Sequence, residues 1–158
     1  ALSMWGDVGW GRMVRDGKYR DQRFHDDLIE GCQKMLDVWS LSPKPTWMTC
    51  VPSLTHPNLV PDFGKRLAEK LAIPFVPVVK KALQNRPQKE MQNSYQQAHN
   101  LDGAFLVDRH PMLEGAVLLI DDLVDSRWTF TVVAALLRDA GCSAVFPLAI
   151  AMSSPGNI

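Results

Sequence analysis

The residues best suited to chemistry lie between Ala116 and Thr129, which read AVLLIDDLVDSRWT. An apolar run, Ala116-Val117-Leu118-Leu119-Ile120, stops at two adjacent carboxylates, Asp121 and Asp122. The polar loop Asp125-Ser126-Arg127 follows, and from Trp128 to Ala140 apolar residues recur at helical spacing before Gly141 ends the run. A buried parallel strand, acids at its carboxyl end and a loop feeding a helix N-terminus outline a site for a phosphorylated sugar. Carboxylates accept hydrogen bonds from vicinal ribose hydroxyls, and backbone N–H groups at a helix start hold a dianionic phosphate. The competing reading is an ordinary strand-to-helix turn in which Asp125 or Ser126 caps the helix. It accounts for the loop but gives no role to consecutive acids where a buried strand emerges.

The elements around this segment alternate in type. Leu28, Ile29, Cys32, Met35, Leu36 and Trp39 recur at helical spacing, predicting a helix over His25–Trp39 with Asp26 and Asp27 in the first turn, where the helix dipole favours them. Ser42-Pro43-Lys44-Pro45 ends it, and Thr46–Val51 reads as a short strand halted by Pro52. A second helix is expected over Leu59–Leu71, with Phe63, Leu67 and Leu71 on one face. Phe75–Val79 is expected as a second strand whose Pro77 suits an edge or a strand start. Lys80 to Asn100 is Gln-rich and nearly devoid of apolar residues, as functional mobile loops and disordered excursions are. Ala104–Val107, Ala116–Ile120 and Ser143–Ile150 complete the expected strands. Such alternation predicts an α/β fold, a three-layer parallel sheet flanked by helices, with its site at the strands' carboxyl ends.

Residues 1–24 are rich in Gly, Arg and aromatics without a clean period, and are expected to be a loop-rich N-terminal arm or linker; the domain proper is expected over 25–158. Trp5, Trp10, Arg12, Arg15, Lys18, Tyr19, Arg20 and Arg23 interleave cations with aromatics, a pattern that can track a nucleic-acid strand. Asp7, Asp16 and Asp21 dilute that charge, which favours an arm packing onto its own domain. Its abrupt entry at Trp5-Gly6-Asp7 suggests a fragment of a longer polypeptide.

At 158 residues with 46% hydrophobic content, one domain with a real core is the default. Seventeen basic residues balance seventeen acidic ones, which argues against a nucleic-acid-binding surface over the whole domain. Cys32, Cys50 and Cys142 are far apart in apolar surroundings and read as small core residues of a reduced, cytoplasmic protein. His25, His56, His99 and His110 show no metal-ligand spacing, so solvated or capping roles are expected. No apolar stretch approaches the roughly 20 residues that span a bilayer, so no membrane partner is expected. No G-x-G-x-x-G follows any strand, which disfavours a dinucleotide site.

The segment Ala116–Thr129 resembles the phosphoribosyl-pyrophosphate (PRPP) motif of type I phosphoribosyltransferases. Asp121-Asp122 match its acidic pair, Leu123-Val124 its apolar pair, Asp125-Ser126 its loop entry and Thr129 its final hydroxyl. Arg127 stands where the family normally has glycine. Pro87-Gln88-Lys89-Glu90-Met91 through Asn100-Leu101-Asp102-Gly103-Ala104-Phe105 is similar to ComF-like members, and Pro52–Ala149 resembles the phosphoribosyltransferase-like extension at the C-terminus of some bacterial RecQ-type DNA helicases.

The resemblance implies binding of PRPP or a related sugar phosphate with Mg²⁺, and displacement of pyrophosphate from C1 by a nitrogen nucleophile. In it, Asp121 and Asp122 orient the ribose diol and Mg²⁺-bound water. Asp125 is a proton acceptor near the anomeric face. Ser126, Arg127, Trp128 and Thr129 surround the 5′-phosphate, Ser53 and Leu54 belong to a pyrophosphate loop, and Lys80 or Lys81 neutralises pyrophosphate. Arginine in place of glycine leaves weak catalysis, altered ligand choice and pure binding open, because such a loop brings backbone close to phosphate and favours a positive φ. A non-catalytic nucleotide-sensing or DNA-contact module regulating an attached helicase is the alternative.

Overall fold

The computed structural model describes residues 1–81 and 104–153. Its centre is a four-stranded, wholly parallel sheet in the order β1-β6-β5-β2, formed by β1 (Ser3–Met4), β2 (Trp47–Cys50), β5 (Val117–Val124) and β6 (Val145–Met152). Two short strands, β3 (Val79–Lys81) and β4 (Phe105–Val107), pair antiparallel in a separate ribbon. Helices α1 (Trp10–Asp16), α2 (Asp26–Trp39), α3 (Leu59–Lys70) and α4 (Trp128–Ala140) complete the described elements, with a π-helical turn at Gly17–Asp21. The parallel α/β architecture expected from the alternating elements is therefore the one observed.

Side-chain alternation along the strands splits the core into two layers. Met48, Cys50, Leu118, Ile120, Leu148 and Ile150 face the α1–α3 side, against Val14, Leu28, Cys32, Phe63 and Leu67. Trp47, Val117, Leu119 and Ala149 face the other side, against Phe130, Val133 and Leu137 of α4 and Val79 and Phe105 of the ribbon. Burying a Leu- or Phe-sized side chain contributes about 1.5–3 kcal/mol, so these layers anchor the strands that carry the acids.

Three expectations are corrected. The strand expected at Phe75–Val79 touches β2 through one parallel bridge, Met48 to Phe75, and then leaves to become β3. The Val78 N–H donates to the Val76 carbonyl and the Thr49 hydroxyl rather than to the β2 backbone, so the ladder ends there. The loop-rich arm instead holds β1, α1 and the π turn, with Val14 and Phe24 fully buried. Gly17 permits this fit, because a Cβ there would meet the Phe24 ring at 2.8 Å and the Arg23 carbonyl at 2.9 Å. Finally, β5 does not end at Ile120; it pairs with β6 as far as Val124 opposite Met152. Backbone pairing is indifferent to the polarity of the acids, so the ladder runs through them.

No helix among the described residues is long and apolar enough to cross a membrane. The three cysteines are free and buried, and burial pushes the Cys32 and Cys50 thiols up to about 12.

Candidate functional site

Strand β2 pairs with β5 only up to Cys50 opposite Ile120, whereas β5 continues beside β6. Asp121 and Asp122 thus stand just past the end of β2, at the carboxyl rim of the sheet where open parallel sheets bind ligands. Being consecutive in a strand, they leave opposite faces. Asp121 is on the α4 side; its Oδ1 accepts the Asp122 N–H at 2.8 Å, and it lines a small cavity. Burial, reinforced by the charge of Asp122, holds its carboxyl well above the usual carboxylate range. Asp122 is on the α1 side, where its Oδ2 lies 2.8 Å from Lys18 Nζ. The two acids, expected together at the ribose diol and Mg²⁺-bound water, leave β5 on different sides of the rim.

The cavity beside Asp121 has a volume of about 70 Å³ and is lined by the loop Asp125-Ser126-Arg127 together with Thr129 and Phe130. That is room for a few waters or one phosphoryl group. Arg127 is the N-cap of α4 and adopts φ +64°, the left-handed region. The position matching the family's glycine therefore has the backbone conformation that favours glycine. No side chain caps α4 and its first turn carries no acid, so its leading N–H groups have no side-chain partner, while Asp121 and Asp125 line the adjoining cavity. Trp128 packs its side chain against the α4-side core, and the Arg127 carbonyl accepts from the N–H and hydroxyl of Thr131. Asp125 is exposed at the loop entrance, and its Oδ1 accepts the Ser153 hydroxyl at 2.6 Å.

The remaining candidates lie on the β2–α3 loop and on the β3–β4 ribbon. Ser53 holds its own turn: its hydroxyl accepts the His56 N–H at 3.2 Å and lies 3.3 Å from the Thr55 hydroxyl. Leu54 beside it is exposed. Lys80 is exposed on β3, and its charge, after that of Asp121, is felt by the Cys50 thiol. Lys81 lies 5.7 Å over the Phe105 ring, a cation–π contact that directs it onto the ribbon. The Gln-rich segment and the Pro87–Gly103 match lie outside the described residues.

Sequence reasoning missed Lys18, Tyr19 and His56 as rim residues. The Tyr19 ring meets Trp5 and His56 edge to face, at 5.9 and 6.2 Å between centroids, and His56 Nδ1 lies 3.2 Å from Gln22 Oε1. These contacts fold the N-terminal segment over the β2–α3 loop. Nothing local in the sequence signals them. The arm's other cations are met by aspartates, with Arg12 and Arg20 at Asp16, Arg20 also at Asp21, and Arg23 at Asp26.

Asp121 and Asp122 were also expected to hold Mg²⁺ through water. They leave opposite faces of β5, and Asp122 is engaged by Lys18. Among the described residues no group of three or more His, Cys, Asp or Glu gathers.

No family model and no curated protein matches the chain. Solved structures do. An adenine phosphoribosyltransferase superposes with a TM-score of 0.57 at 18% identity, over 82% of this chain and 69% of that one. The Saccharomyces cerevisiae adenine phosphoribosyltransferase, complexed with an imino-altritol bisphosphate and adenine, gives 0.57 at 19% identity over 82% and 68%. The Leishmania tarentolae enzyme gives 0.52 at 16% identity over 85% and 77%. At these identities the likeness establishes the fold, which is that of the type I phosphoribosyltransferases.

Proposed function

We propose that this chain binds PRPP or a related phosphopentose, seating the 5′-phosphate at the start of α4. The observation that carries the reading is the left-handed turn at Arg127, which bounds a phosphate-sized cavity at an uncapped helix N-terminus. Dianion binding there draws on several N–H donors and the helix dipole. Asp121 borders the same cavity and would hydrogen-bond a ribose hydroxyl. The neighbouring β2–α3 loop, with Ser53 and Leu54, and Lys80 on β3 would receive a diphosphate, with Mg²⁺ carried on its oxygens.

If turnover occurs, a nitrogen nucleophile attacks C1 as the C1–O bond to pyrophosphate breaks, through an oxocarbenium-like transition state. The protein's part is positioning and stabilising the departing charge. Asp125, held by Ser153, is the candidate acceptor for the nucleophile's proton. A non-catalytic sensing role is the second reading, favoured by the Lys18–Asp122 pair, which withdraws one acid from ligand chemistry. The resemblance to ComF-like proteins and to RecQ-type helicase extensions would put this pocket beside a DNA-unwinding motor. Nucleic-acid contact would then fall mainly to that motor, because the arm's cations largely meet the chain's own aspartates.

Calorimetry with PRPP and MgCl₂, run beside Asp121→Asn/Asp122→Asn, tests the reading. Binding to the wild type that the double variant loses supports it, and no binding to the wild type refutes it. Pyrophosphate release with a panel of bases then separates enzyme from sensor.

A further inference from the structure

Lys18 and Asp122 form an ion pair with only 16% and 12% of their side chains exposed. So shielded a pair differs from a surface bridge, because removing either partner leaves the other charge poorly solvated. The pairing is built in. Lys18 belongs to the Gly17–Asp21 π turn, a geometry rare in proteins and frequent at functional sites. The turn is closed by Arg23 N–H donating to the Gly17 carbonyl at 3.1 Å and Gln22 Nε2 donating to the Lys18 carbonyl at 2.7 Å. Tyr19 and Gln22 then tie it to His56 on the β2–α3 loop. The ammonium is thus held at Asp122 by a turn that is anchored on that loop, at the carboxylate where a hydrated divalent ion is expected. It carries three donors, of which one suffices for Asp122.

We propose that Lys18 is the resident cation of the sugar-phosphate site: it takes the place of a divalent ion at Asp122, neutralises that carboxylate and offers its remaining N–H donors to the oxygens of the bound pentose. Phosphopentose binding is then independent of divalent metal. This rests on the phosphopentose reading of the α4 loop.

The test is calorimetry with ribose 5-phosphate, which has no diphosphate to bring its own ion, in EDTA and in excess MgCl₂. The wild type is expected to bind equally in both. Lys18→Met is expected to lose about tenfold or more in EDTA, the loss of a charge-assisted hydrogen bond, and to recover with MgCl₂. Water-proton relaxation by Mn²⁺ is expected to detect a bound ion in Lys18→Met and none in the wild type, and this wild-type arm decides the matter if the variant does not fold. Wild-type binding that collapses in EDTA, an ion held by the wild type, or a folded Lys18→Met with unchanged affinity would each overturn the assignment while leaving the phosphopentose reading intact. Failure of the wild type to bind ribose 5-phosphate under any condition overturns both.

Discussion

Replacing Arg127 with glycine separates the two things this residue does. Its φ of +64° costs an L-residue roughly 1–2 kcal/mol relative to right-handed backbone, a cost glycine lacks. Glycine also loosens the unfolded chain, which returns about 0.4–1 kcal/mol. The difference leaves Arg127→Gly more stable by about 0.5–1 kcal/mol, a rise in Tm of roughly 1–4 °C for a chain of this size. Side-chain losses should be small, since Arg127 is exposed and its bonds with Thr131 are made by its backbone carbonyl. Arg127 nonetheless lines the cavity, and a charged donor contributes about 1.5–3 kcal/mol to an anion it reaches. The variant should therefore bind ribose 5-phosphate about tenfold more weakly while melting higher. Scanning calorimetry and titration calorimetry on one preparation read both. A lower Tm would refute the strain argument, and unchanged affinity would discard any role for the guanidinium in binding.

Thr129→Asp places a carboxylate in the first turn of α4, which should stabilise the helix by about 0.3–1 kcal/mol. The same charge should cut ribose 5-phosphate affinity at least about a hundredfold; melting and titration together check it. Asp121 has a raised carboxyl pKa in the folded state, so the folded protein holds its proton longer than the unfolded chain does. Stability from this group is full below the ordinary carboxylate pKa and falls as pH rises from there towards the raised value. Asp121→Asn, which keeps an acceptor for the Asp122 N–H, should match the wild type in acid and exceed it at neutral pH in urea unfolding. Gly64→Ala should cost about 1–3 kcal/mol by denaturant unfolding, because its Cβ would stand 2.5 Å from the Phe75 ring and 2.8 Å from Ile120.

Helices were readable where burial follows a local period. The helix expected at Trp128–Ala140 has those bounds, and α2 and α3 begin or end within a residue of expectation, with His25 capping α2 by accepting the Asp27 N–H. Each presents an apolar stripe that only one periodicity explains. Strands were readable as apolar runs, but their partners and ends were not. Whether β4 joins the parallel sheet or pairs back on β3, and whether β5 stops at Asp121, is decided by backbone pairing between distant segments. Strand β1 is two residues held by main-chain bonds to β6, so no side-chain pattern announces it. At the site, the loop Asp125–Thr129 was legible because a local turn sets its shape, down to the glycine-like backbone at Arg127. The separation of Asp121 from Asp122 also follows from strand alternation, once β5 is known to run through them. The Lys18–Asp122 pair was not legible, because it joins segments far apart in the chain through a π turn that no local sequence rule signals.

The most direct test of the phosphate seat is an amide ¹H–¹⁵N titration with ribose 5-phosphate. The account expects saturable shifts concentrated at the N–H groups of Ser126, Arg127, Trp128, Thr129 and Phe130. Saturable binding that leaves those amides unmoved and perturbs another surface, or no saturable shift at all, would contradict it.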